Sequence, residues 1–354
     1  MIKFFRKIRQ NLLHEGKTGK YFKYAIGEII LVVIGIFIAL QLNNWSEKQK
    51  TENKIVSILK EVQKDLGEDI IKSKALFAYY KSRDSIIQLA IDNKLTREDY
   101  LGTNNITYLY VAMNAFHLKI HSNGYKNLTD HLDDIPEKFT EIIAPLNEIY
   151  TYNKYEIDKF DLRLDKITDR LIDHLAATKP WYYGMNRNQI SEEAIHYFLN
   201  DSLYKNALYL YSNASQNLTA NVLAFNQNAI NTYQKIAELT GYPEELPDFI
   251  PHHLIDVTPQ QFEALTGNYK LIKIKYSNGD IITLEDPFIM KVNNHILEFS
   301  DINYDYTVNF YFKDNNNLYG NHSEATIIKN ESKNISGLLV KLLDIDYEFI
   351  KVDY

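Results

Sequence analysis

Apolar residues run almost unbroken from Ala25 to Leu42, and twelve of these positions are Ile, Leu, Val or Phe. As a helix this run is about 27 Å long at ~1.5 Å per residue, which matches the hydrocarbon core of a bilayer. Glu28 interrupts it, but only one turn in, where a carboxylate reaches the headgroups at reduced cost. A cleaved signal peptide would have a shorter apolar stretch ending at a small-x-small site. This run instead closes with Phe-Ile-Ala-Leu-Gln-Leu-Asn-Asn-Trp. The pattern therefore predicts an uncleaved transmembrane helix over 25–45, with a cleaved signal and a soluble core helix as the rival readings.

After the span the apolar period becomes helical. Ile55, Ile58, Leu59, Val62, Leu66 and Ile70 recur at three- and four-residue steps, predicting a long amphipathic helix over 52–91. The same pattern is expected to continue through 106–120 and to break at His121-Ser-Asn-Gly-Tyr125. A further long helix is predicted over 135–175, with Pro136 near its start and a kink at Pro145. Ser191 reads as the cap of the next helix. The last runs from Ser202 to Leu239 and stops at Gly241. Long helices with short links predict an antiparallel bundle over 46–241.

Pro243, Pro247, Pro251 and Pro259 are half of the chain's eight prolines, and they mark a stiff linker over 242–260. Beyond it the period falls to two. Gly267-Asn-Tyr-Lys-Leu-Ile-Lys-Ile-Lys, then Asn278-Gly279, then a second alternating run give a hairpin signature. Seven or eight short strands fit into 261–354, predicting a small antiparallel β-barrel or sandwich. The fold class expected is α+β, ordered as membrane helix, helical bundle and β domain.

Charge adds orientation. Residues 1–24 carry Lys3, Arg6, Lys7, Arg9, Lys17, Lys20 and Lys23 against Glu15 alone. Basic flanks stay cytoplasmic, so 1–24 reads as a cytoplasmic leader and the body as extracytoplasmic. Phe5, Ile8 and Leu12 share one face of the leader, with Lys3, Arg6, Lys7 and Arg9 around them, as in a helix lying on an anionic membrane surface. Trp45 is placed as an interfacial anchor. Glu28, Gly35 and Ala39 fall on one face of the span, so pairing of two copies through that face is an expected contact. The body over 46–354 holds 32 basic and 44 acidic residues, a poor surface for nucleic acid. The chain has no cysteine, which excludes disulfides, thiol nucleophiles and Cys-ligated zinc.

The segment Lys23-Tyr-Ala-Ile-Gly-Glu-Ile-Ile-Leu-Val-Val-Ile-Gly-Ile-Phe-Ile-Ala-Leu-Gln-Leu-Asn-Asn-Trp45, with its basic leader, resembles the N-terminal signature of a family of single-span proteins of uncharacterised function in Gram-negative bacteria. Residues 116–135 are similar to a later segment of that family, in which a small-residue–Gly turn separates two helices. The resemblance implies an inner-membrane location with the body in the periplasm. It carries no catalytic residues. Phe262–Leu271 is similar to the opening of small lipocalin-like barrels appended to other bacterial domains.

Chemical motifs are sparse. Ser57-Ile-Leu-Lys60, Tyr211-Ser-Asn213 and Lys17-Thr-Gly19 match fragments of the penicillin-recognising signature, but in the wrong order and divided by the span. His117 and His121 would share a face if helical, and His131 could complete a metal site with them. No catalytic residue and no cofactor is assigned. The expected role is a non-enzymatic, membrane-anchored scaffold or binding module with the lipid bilayer, a second copy, or an unidentified protein or small molecule as partner. A sensor acting through the span and a metal-dependent hydrolase are the alternatives.

Overall fold

A computed structural model describes residues 18–102, 105–187, 189–241, 247–276, 279–293, 295–303, 307–320, 322–342 and 345–352. Helix α1 is a single element from Thr18 to Ile91, 74 residues long. None of its apolar part is buried, and it is the one helix among the described residues long and apolar enough to cross a membrane. No proline or glycine pair interrupts it near Trp45, so nothing bends the helix as it leaves the apolar stretch. From Ile55 onward the same helix is core: Ile55, Leu59, Val62, Leu66 and Ile70 have no exposed surface.

Four elements pack side by side. α1 ascends from the apolar end. A descending arm follows, made of an extended segment over 114–122 and helix α2 (Asn123–Thr129). A second ascending helix, α3 (Lys154–Thr178), leads to α4 (Glu192–Asn200) at the far end. Helix α5 (Ser202–Thr240) then descends along both α1 and α3. The Lys138–Glu52 ion pair joins the lower ends, and Arg97–Glu192 ties the upper end.

The arm departs from the expected pattern. Residues 114–120 were predicted to be helical, yet they are extended. Their burial alternates: Leu118 and Ile120 face in, His117 and Lys119 face out. The apolar run "FHLKI" supports either period over so short a length.

The chain before α3 also differs from one uniform helix. It is 3₁₀-helical over Glu137–Ile142, α-helical over Ile143–Asn147 and π-helical over Glu148–Asn153. Pro145 cannot donate a backbone hydrogen bond, and the ladder changes pitch around it. The π turn directs Tyr150 and Asn153 into the core. Ser191 accepts from the Ala194 N–H as expected of a cap, and α5 ends at Gly241 with φ 97°.

The linker joins two separate cores. Phe249 and Ile250 belong to the bundle core, with Phe249 against Tyr233 and Gly67. Helix α6 (Pro259–Leu265) begins at the Thr258 cap and contributes Phe262 and Leu265 to the second core.

That second core fills a closed barrel of eight antiparallel strands in sequential order. These are β1 (Gly267–Lys275), β2 (Ile281–Asn293), β3 (Ile296–Asp301), β4 (Thr307–Phe312), β5 (Asn317–Gly320), β6 (Ser323–Lys329), β7 (Ile335–Leu342) and β8 (Ile345–Val352). The interior is occupied by rings. Phe299 lies 5.1 Å from Phe288, 4.9 Å from Phe349 and 5.5 Å from Tyr269, centroid to centroid. Of the two architectures allowed by the strand pattern, closure decides for the barrel, and it removes the exposed edges a sandwich would keep.

Candidate functional site

An extended segment inside a helical bundle has no neighbouring strand, so its backbone groups must find other partners. Here the partners are tyrosines and aspartates of the long helices. The Tyr79 and Tyr211 hydroxyls both donate to the Asn114 carbonyl, at 3.1 and 2.6 Å. The Tyr80 hydroxyl lies 2.9 Å from the Phe116 carbonyl and 3.0 Å from the Phe116 N–H. Lower down, Asp69 accepts from the His121 N–H at 2.8 Å, and Asp65 accepts from the Gly124 N–H at 3.0 Å. Glu61 accepts from the Asn127 amide at 3.2 Å. Glu61, Asp65 and Asp69 are one helical turn apart, so one stripe of α1 holds the arm.

His121 is gripped twice. Its Nδ1 lies 2.6 Å from Asp69, whose side chain has no exposed surface. Its Nε2 lies 3.3 Å from the Lys72 Nζ and 3.9 Å from the Glu68 carboxylate. Burial pushes the Asp69 carboxyl above its ordinary value; the His121 ring, the His121 N–H and Lys72 pull the other way. Ser73, one turn further along α1, donates to the Ile70 carbonyl and accepts from Asn226.

Gly124 makes the close approach possible. A Cβ there would lie 2.6 Å from the Val62 nitrogen and 2.9 Å from its Cα. Only glycine lets α2 sit this near α1. Tyr125 stacks on Tyr150 at 4.5 Å, and the Tyr150 hydroxyl is buried without a hydrogen bond among the described residues. Its burial, with Asp65 and Asp69 nearby, pushes the phenol up.

His117 faces the opposite wall. Its Nδ1 is 3.4 Å from Asp161 and its Nε2 is 3.1 Å from Asp165, one turn apart on α3. Burial pushes Asp161 up to about 6 against the pull of His117. Its Oδ1 makes the ion pair but no well-formed hydrogen bond.

The structure does not bring His117, His121 and His131 together. Four residues of extended chain span ~13 Å, against ~6 Å on a helix, so the first two serve different helices. His131 Nδ1 lies 2.8 Å from the Asn127 carbonyl within its own turn. Among the described residues no group of three or more His, Asp and Glu side chains is arranged to hold a metal ion. The helical spacing from which a metal site at His117, His121 and His131 was expected is not present, because the arm is extended.

Other expected residues lie elsewhere. Gly35 and Ala39 are exposed on the apolar length of α1, Glu28 is half-buried one turn into it, and a Cβ at Gly35 would touch nothing within 4 Å. Trp45 is exposed just beyond that length. Lys3, Arg6, Lys7 and Arg9 lie outside the described residues. The aromatic clusters are core: Trp181 packs on Tyr197 and Phe198, and Tyr80 lies against Tyr79 and Tyr211.

Sequence reasoning missed Asp65, Asp69, Tyr79, Tyr80 and Tyr211. One signal was present. Asp69 and Ser73 each follow an apolar core position of α1 by three residues, so they fall on its buried face. A carboxylate there requires a partner.

Residues 28–160 match a family described as "Family of unknown function (DUF6090)". The match takes in the apolar length of α1, the carboxylate stripe, the arm and the π turn, and ends within α3. It does not reach α5 or the barrel. No curated protein matches the chain.

Proposed function

We propose that the protein is a membrane-anchored scaffold that holds a helical bundle and a β-barrel at fixed height on the extracytoplasmic side of a bacterial inner membrane. The observation that carries this reading is the continuity of α1, in which the apolar length and the central bundle helix are one element. A bundle built on the extension of its own anchor cannot swivel freely above the bilayer. The position of Gly67, which packs on Phe249 of the linker, is about 33 Å beyond Trp45 at ~1.5 Å per residue. The barrel docks from that level upward.

Two further features favour a holding role over catalysis. His121 is tied to Asp69, which also holds the arm backbone, and His117 is paired with Asp161 and Asp165. The barrel interior is packed with rings. Orientation rests on the basic leader. Pairing of copies through the Glu28, Gly35 and Ala39 face would place two such scaffolds side by side.

The cysteine-free chain permits a direct test. Single Lys17→Cys and Lys166→Cys variants are treated in spheroplasts with a membrane-impermeant maleimide. Labelling at 166 but not at 17, with 17 labelled only after lysis, is the expected outcome. The reverse labelling pattern, or a mature protein lacking residue 17, would overturn the reading.

A further inference from the structure

The barrel meets the bundle through a small, mostly polar seam. Asn309 on β4 donates to Asn231 on α5 at 3.3 Å, and the Tyr311 phenol faces the Gln234 side chain. The apolar cores on either side remain separate. One contact differs in kind. Where β5 turns into β6, Gly320 pairs with Ser323. His322 takes the left-handed conformation this turn needs, with φ 61°. Its ring is thereby set against Phe77 of α1, 4.3 Å between centroids.

We propose that this seam is an acid-released clasp, in which neutral His322 seats the barrel against α1 and its protonation undocks the barrel.

The contact suits a neutral imidazole and opposes a charged one. His322 Nε2 is buried and has no hydrogen-bond partner among the described residues. An added proton would place a charge on the buried Nε2, against the Phe77 ring and without a hydrogen-bond acceptor among the described residues. The charged neighbours do not rescue it. Lys74, one turn before Phe77 on α1, repels an imidazolium. On the barrel side, Glu324 and Lys341 line with His322 an open cleft of about 400 Å³. Glu324 is already paired with Lys313 at 2.9 Å, and Lys341 adds a further positive charge. From α5, the seam receives uncharged Asn231 and Gln234.

The direction of the pH effect follows from linkage. Burial, then Lys74, lowers the docked imidazole from its ordinary 6.5 to about 4. A depressed folded-state value means that docking is strongest above 6.5 and is lost as pH falls towards 4. Over pH 7.5 to 5 the open-to-docked ratio rises about 30-fold on those values.

The test uses the full chain in detergent micelles, spin-labelled at introduced Lys166→Cys and Glu331→Cys. Pulsed dipolar spectroscopy reads the bundle–barrel distance from pH 7.5 to 4.5. The expected result is one narrow distance at pH 7.5 and a growing longer, broader population below pH 6. His322→Asn accepts the same left-handed turn and does not titrate, so its distance stays narrow throughout. Lys74→Gln gives a smaller rise than the wild-type chain. An invariant distance in wild type overturns the clasp, as does opening in His322→Asn that equals wild type. Loss of helix content by circular dichroism with the same midpoint assigns the change to bundle unfolding and also overturns it.

Discussion

Asp69 on α1 and His121 on the arm are joined by two hydrogen bonds. The carboxylate accepts from the His121 backbone N–H at 2.8 Å and meets its ring Nδ1 at 2.6 Å. The pair therefore fixes both the path of the main chain and the orientation of the imidazole. This makes Asp69 a substitute for the missing strand neighbour, and its removal strands two donors at once. Asp69→Ala is expected to lower stability by about 2–4 kcal/mol, with Asp69→Asn losing less because its amide oxygen still accepts one bond. Denaturant unfolding followed by fluorescence of buried Trp181 checks this; an Asp69→Ala variant as stable as wild type would contradict this role of Asp69.

Gly124 supplies a second, purely steric prediction. Gly124→Ala drives a methyl into the Val62 backbone at 2.6 Å, and a backbone atom cannot rotate away. A loss of more than about 2 kcal/mol is expected. Gly35→Ala, where a Cβ meets nothing, should leave the bundle's unfolding midpoint unchanged. Equal effects of the two substitutions would refute the close approach.

Asp161 makes the bundle's stability depend on pH near neutrality. Its carboxyl is held up at about 6 from an ordinary 3.8, chiefly by burial. A raised value means that the native state binds the proton more tightly. The charged form thus costs stability above pH 6, and the cost disappears as pH falls through 6 towards 3.8. Asp161→Asn, neutral at all pH, should be more stable than wild type at pH 7.5, with the two converging near pH 4. Thermal melts at half-unit steps decide this. A gap that widens on acidification would show that the His117 attraction dominates instead.

The barrel interior gives a fourth test. Phe299 is 2% exposed and touches four other rings. Phe299→Ala should cost about 3–5 kcal/mol and leave a cavity. Xenon or benzene binding, followed by NMR of neighbouring methyl groups such as Leu297 and Leu338, should appear in the variant only. Binding by the unmutated chain would mean that the interior is open.

The sequence determined those elements whose period is long and whose boundaries are chemical. The apolar run of α1, the cap at Ser191, the stop at Gly241 and the seven or eight short alternating runs after the prolines are local facts, and a helix or strand answers to them directly. It could not determine the path of residues 114–122. Leu118 and Ile120 suit a strand while the same segment read with its neighbours suits a helix, and only the hydroxyls of Tyr79, Tyr80 and Tyr211 and the carboxylates of Asp65 and Asp69 make the extended path possible. Those partners lie on α1 and α5, up to 97 residues away in the chain. The separation of His117 from His121, and the seat of His322 on Phe77, follow from the same cause. Each depends on which long helices come to lie side by side, and that is settled by the burial of whole faces, not by any short motif.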